Sequence, residues 1–203
     1  MQRAMKSWWI TMTLSGLGML LGLVTERSLT GAGPRALATD YTTPQALLSQ
    51  QFHSSERVTY RKVRFDAPQR KELETKLGRP LPKPEYTFFV ATTHDAPEGY
   101  ALFDEQIGQH EPISFATFFD THGQVTRVEI LAYREPYGDG VRAERFRKQF
   151  LGRGAKSSFR LGSDIDAIAG ATISSRSLCV GVARATAMLD VALRALGPTL
   201  GPR

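Results

Sequence analysis

The feature that most restricts this chain is a proline-free stretch from Ser174 to Leu196. Leu178, Val182, Ala185, Leu189, Leu193 and Leu196 recur there at spacings of four, three, four, four and three, the period of one helical face. Arg176, Asp190 and Arg194 fall on the opposite side. Such a helix must bury its apolar stripe against another layer, and the preceding segments supply one. Residues 58–65 alternate as a strand does, and four more strand patterns follow at 86–92, 100–107, 113–119 and 125–133. Asp120-Thr-His-Gly123 reads as a tight turn, so the last two strands make a half-buried antiparallel hairpin. Pro68 opens a short helix that Gly78 ends, and a second short helix is expected over 141–150. Between Gly78 and Pro84 three prolines deny both helix and ladder, leaving a loop. The predicted class is α+β: an antiparallel sheet packed with helices, with the long amphipathic helix last.

The net charge of +6 invites a nucleic-acid reading, but its distribution argues against one. Arg3, Lys6, Arg27 and Arg35 against Glu26 place +3 of it in residues 1–38. No block of five like charges occurs, and the cations from Arg142 to Lys148 are interrupted by Glu144 and Phe146. No nucleic-acid partner is expected. Arg3 and Lys6 instead precede an apolar run, residues 8–24, followed by Ala36-Leu37-Ala38. That is the order of charge, apolar run and small-x-small site found in secretory signals. The run is also at the lower edge of bilayer-spanning length. Two readings follow: a cleaved signal peptide and a soluble periplasmic protein starting near Thr39, or an anchor tethering the domain to the outer face of the cytoplasmic membrane.

Candidate chemistry lies just before the long helix, in Gly162-Ser-Asp-Ile-Asp-Ala-Ile-Ala-Gly-Ala-Thr-Ile-Ser-Ser175. Gly170 permits a backbone conformation closed to other residues. Thr172, Ser174 and Ser175 bring hydroxyls to a helix N-terminus, whose unpaired N–H groups and dipole favour an anion, above all a phosphate. The same residues have a plainer use, with Thr172 or Ser174 as an N-cap worth about 1 kcal/mol and Asp164 and Asp166 as turn residues. Elsewhere the chain shows no triad or acid–base pair of a substrate-transforming enzyme. His53, His94, His110 and His122 lack metal-ligand spacing, so no metal is expected. The single cysteine, Cys179, is read as a buried helix residue.

The loop resembles the flavinylation motif of the FMN-binding domain family, found in the FMN-carrying subunits of the Rnf complex and the sodium-translocating NADH:quinone reductase. There the pattern Asp, two variable residues, Ser or Thr, Gly, Ala, Thr ends on a threonine esterified to FMN. Asp166, Gly170, Ala171 and Thr172 match it, and Ile173-Ser174-Ser175 continues as in many relatives. Ala169 departs, standing where the family has Ser or Thr. Gly99-Tyr100, His110–Ile113, Val128–Gly138 and Gln149–Gly152 also resemble family segments in the same order, so the likeness covers about residues 99–190.

The resemblance implies an FMN-binding domain over 99–196, with 39–98 a divergent N-terminal part. It implies FMN joined through its phosphate to Thr172, with Gly170, Ala171, Ile173, Ser174 and Asp166 around the attachment point. Tyr133 and Glu135 are further expected contacts, and Ile165, Ile168 and Tyr137 are candidates for the ring. A separate exported FMN transferase would attach the group from FAD and release AMP, with Asp166 aiding recognition or activation. The implied role is electron transfer with membrane or periplasmic redox partners. The alternatives are a non-redox accessory or sensory module with the same fold, or a phosphoanion-binding protein using the same helix terminus.

Overall fold

Alternating side chains in five successive segments produce a single antiparallel sheet in which every strand pairs with its sequence neighbour, in the order β1-β2-β3-β4-β5. The structure, a computed structural model, describes residues 43–201. The segment expected to be a signal or anchor, residues 1–38, lies outside them. The strands are β1 (Arg57–Val63), β2 (Tyr86–Thr93), β3 (Ala96–Ile107), β4 (Pro112–Phe119) and β5 (Val125–Ala132). β2 and β3 are joined through His94 and Asp95, whose φ angles of 49° and 60° give the left-handed pair that a tight hairpin requires. Among the described residues four α-helices accompany the sheet: α1 (Pro44–Gln51), α2 (Ala67–Leu77), α3 (Glu144–Arg147) and α4 (Thr172–Leu196). Among the described residues no helix is long and apolar enough to cross a membrane.

The helix expected from Pro68 to Gly78 forms as α2, with a start that the sequence reading did not name. Asp66 and Gln69 form a capping box, and Gly78 closes the helix at φ 65°. α1 is not anticipated by the pattern, because only Leu47 of its eight residues is buried. Thr43 caps it, its side chain accepting a hydrogen bond from Ala46 N–H at 3.2 Å. Leu47, together with Phe52 just beyond the helix, then packs on Ala91, Ala101, Ala116 and Phe118 from the outer face of the sheet.

That packing corrects the half-buried hairpin. Ile113, Phe115 and Phe119 of β4 join the main core with α4, while Ala116 and Phe118 lie in the cluster with α1. β4 is therefore covered on both faces. The helix expected over 141–150 is also corrected. A 3-10 turn at Asp139–Arg142, the single-turn α3 and a second 3-10 turn at Lys148–Phe150 replace it, with Ala143 leaving helical geometry at ψ 130°. Contacts to β5 provide the reason. Arg147 Nη1 donates to Val128 O at 2.9 Å and Arg147 Nε to Arg142 O at 3.0 Å. Val125 N–H reaches Arg153 O, and Gly152 N–H reaches Val125 O, both at 2.8 Å. The segment follows an edge strand and satisfies its open groups, which a straight helix would leave bare.

α4 is buried on more than its predicted stripe: Cys179, Thr186, Ala187, Met188, Val191 and Ala192 are also inside. Arg184 is inside too, at 3% exposure. Its Nε and Nη2 reach Asp104 Oδ2 of β3 at 2.9 and 2.7 Å, and Lys83 Nζ holds Oδ1 at 2.8 Å. Arg184 also donates to Gln106 Oε1 and Glu105 O, each at 2.8 Å. At Gly181 the helix backbone comes so near the sheet that a Cβ would sit 2.4 Å from Phe115 Cζ. Ser177 Oγ donates to Ile107 O at 2.7 Å. These contacts fix where the first turn of α4 stands at the end of β3.

Candidate functional site

The N-terminus of α4 is built without the usual cap. Ala171 occupies the capping position and has no side-chain acceptor, and no acidic residue stands in the first turn. The N–H groups of Thr172, Ile173 and Ser174 have no partner among the described residues, the first return bond being Ser175 N–H to Ala171 O at 2.8 Å. Thr172 is the first helical residue; its side chain is exposed and its hydroxyl makes no hydrogen bond among the described residues. The plainer use of Thr172 or Ser174 as a cap is thus not the one adopted. Gly170, at φ 76°, turns the chain into the helix, and buried Ala171 donates to Ile168 O at 2.9 Å.

The other hydroxyls point inward. Tyr133 Oη donates to Tyr137 O at 2.5 Å, which spends its only proton. Ser174 Oγ, 2.8 Å from the same oxygen, is then the donor of that second bond. Burial pushes the Tyr133 phenol up, partly countered by Ser174. Gly138, at φ 87°, lies against the pair, where a Cβ would meet Ser174 Oγ and Tyr133 Oη at 2.8 Å each. Tyr133, Ser174 and the 137–138 turn therefore form one hydrogen-bonded block under the helix start. Ser175 is fully buried and its hydroxyl has no partner among the described residues.

Glu135 shares no hydrogen bond with Thr172 among the described residues. Its Oε1 accepts from His110 N–H at 2.6 Å and Glu111 N–H at 3.0 Å, closing the β3–β4 turn. Burial raises this carboxyl, but the backbone N–H groups of Glu111, His110 and Gln109 outweigh it and leave it below its ordinary value. Gly108 leaves room for it, since a Cβ there would lie 2.5 Å from Oε1. Of the apolar candidates, Ile165 is buried, Ile168 half-buried, Ile173 about half exposed, and Tyr137 81% exposed. Asp166 is exposed, and its carboxylate shares no hydrogen bond with Thr172. Its backbone is held by the Gln149 side chain, with Asp166 N–H donating to Oε1 at 2.7 Å and Nε2 donating to Asp166 O at 3.4 Å. Sequence reasoning assigned no individual role to Gln149, Gly138 or Ser177, although Gly138 and Gln149 lie in segments that resemble the family.

An exposed, unbonded hydroxyl beside three unpaired N–H groups, at the positive end of a long helix, is a donor set that suits a phosphate ester. The remaining negative charge of a phosphodiester on Thr172 Oγ1 would lie next to those groups, so the residues present fit a phosphate-linked cofactor. Comparison with known proteins gives the class. Residues 108–187 match the FMN-binding domain family. That match, over 80 of the 203 residues, supports FMN as the cofactor. Among solved structures, Shewanella oneidensis NqrC is 13% identical at a TM-score of 0.45, covering 70% of this chain and 86% of its own. A subunit of the Na(+)-translocating NADH-quinone reductase from Parabacteroides distasonis is 14% identical at a TM-score of 0.44, covering 83% of this chain and 90% of its own. No curated protein matches the chain in sequence.

Proposed function

We propose that this protein is an exported electron carrier whose FMN is attached covalently to Thr172. The observation that carries the proposal is the open first turn of α4, with Thr172 free at its head, inside the stretch that matches the FMN-binding domain family. In the attachment step the Thr172 hydroxyl gives up its proton and Oγ1 bonds to the FAD phosphorus that bears the riboflavin. The anhydride bond at that phosphorus breaks, and AMP leaves. A separate FMN transferase supplies the FAD and the catalysis, and the present chain is its substrate. The N–H groups of Thr172, Ile173 and Ser174 then face the charge of the phosphodiester. Covalency suits an exported chain, which has no cytoplasmic pool from which to replace a lost cofactor.

Bound FMN supplies one- and two-electron chemistry. The chain's own contribution is to hold the attachment point and offer nearby apolar surface, for which exposed Tyr137 and Ile173 and half-buried Ile168 are placed. Redox partners in or at the outer face of the cytoplasmic membrane complete the function, with residues 1–38 as the export signal or tether. Co-expression with an FMN transferase, followed by a denaturing gel under ultraviolet light, tests the attachment. A fluorescent band is expected from the natural chain and none from Thr172→Ala. A dark natural band whose intact mass lacks the FMN adduct would overturn the attachment.

A further inference from the structure

The first part of the acceptor loop is held by Arg160 O, which accepts from Asp164 N–H at 2.9 Å and Ile165 N–H at 3.0 Å, and the part from Asp164 on is also secured by two side chains of the segment 149–153. The loop's other backbone bonds lie at its two ends: Gly162 N–H to Ile165 O at 2.7 Å, and Ala171 N–H to Ile168 O at 2.9 Å. Between them Asp166, the residue that opens the motif, has both main-chain polar groups engaged by the single Gln149 amide, at 2.7 and 3.4 Å. Arg153 stands beside it. Its Nε donates to Gln149 O at 2.6 Å and its Nη2 to Asp164 O at 2.5 Å. The guanidinium thus ties the backbone carrying Gln149 to the loop two residues before Asp166. Gly162 and Gly170 are both at positive φ, so the loop turns at hinges that side chains do not stiffen. Ile165 is buried between those glycines and half-buried Ile168 packs against the core, so the far part of 166–170 has an apolar anchor while Asp166, which is exposed, is held by the Gln149 amide.

Beside the clamp lies a recess lined by Arg145, Phe146, Gln149, Asp166 and Ile168. Asp166 lines it and is exposed, so its carboxylate is open to a partner while its backbone is clamped. We infer that Gln149 is a positioning residue for flavin attachment: by holding the backbone of Asp166 at both its polar groups, it presents the 166–172 segment to the transferase in one conformation. The inference rests on the attachment reading above, but its physical core, the clamp, has a readout of its own.

The test compares the natural chain with Gln149→Ala and Gln149→Glu, the latter keeping the acceptor for Asp166 N–H. Flavin transfer from FAD is followed by gel fluorescence well below the unfolding temperature, alongside denaturant stability and hydrogen exchange at the Asp166 amide. Loss of one ordinary hydrogen bond and one long, weaker one sets the scale at about tenfold. Gln149→Ala should therefore slow flavinylation by about that factor and speed Asp166 exchange comparably, while remaining folded. Gln149→Glu should fall between it and the natural chain. If Gln149→Ala loses stability but is flavinylated at the natural rate, the positioning role is wrong and the attachment reading stands. If the natural chain accepts no flavin, both fall, even where amide exchange shows the clamp itself to be present.

Discussion

Replacing Arg184 with alanine should be among the most damaging single changes to this fold. The guanidinium is 3% exposed and makes four hydrogen bonds, two to Asp104 and one each to Gln106 and Glu105 O. Removing it strands Asp104, whose side chain is wholly buried, with only Lys83 as counter-ion. Breaking a buried pair from one side costs about 3–5 kcal/mol, because the remaining charge keeps its desolvation penalty. Lys83 is 44% exposed and stays within 2.8 Å, which places the loss near the lower figure, about 3 kcal/mol. For a chain of this size that is a fall of roughly 6–12 °C in Tm. Urea denaturation and thermal melting followed by circular dichroism measure it directly. Replacing both partners with apolar residues, as Arg184→Met with Asp104→Leu, should cost less than Arg184→Ala alone. A loss for Arg184→Ala of under about 1 kcal/mol, the size of a solvated surface pair, would refute this account of how β3 holds α4.

Three further outcomes follow from the site. Gly138→Ala puts a Cβ 2.8 Å from both Ser174 Oγ and Tyr133 Oη at φ 87°, so it should cost about 2 kcal/mol or more in urea denaturation, and a neutral result would contradict that packing. Glu135 is held below its ordinary 4.5, so its contribution to stability is complete above that value and is lost as pH falls through the lower folded-state value. The stability gap between the natural chain and Glu135→Gln should be constant near neutrality and close on acidification, whereas a gap that widens in acid would reverse the assignment. Cys179 is buried, and burial pushes its thiol up to about 12, so alkylating reagents at neutral pH should label it only after unfolding; rapid labelling of the folded chain would show that the helix is not packed as described.

What the sequence determined by itself is whatever local periodicity carries. The spacing of Leu178, Val182, Ala185 and Leu189, the alternation in five strands and the Pro68-to-Gly78 helix signals depend on short offsets along one chain. Segment 166–172, which the proposal takes as the attachment point, stood out through its resemblance to a family motif, since its local pattern alone reads equally as a helix cap. Tertiary structure alone decided which faces were covered and which groups were left without partners. β4 is buried on both sides because Leu47 and Phe52, far away in the chain, close its outer face. The 141–150 segment breaks because β5 offers an edge to be satisfied. Arg184 carries no local sign of burial, and only folding brings Asp104, eighty residues earlier, against it in the core. Ser174 likewise reads as a cap until Tyr133 claims its hydroxyl and turns it inward, leaving Thr172 free at the head of the helix. Local patterns propagate through bonded geometry, but burial and hydrogen-bond pairing are set by residues that only folding brings together.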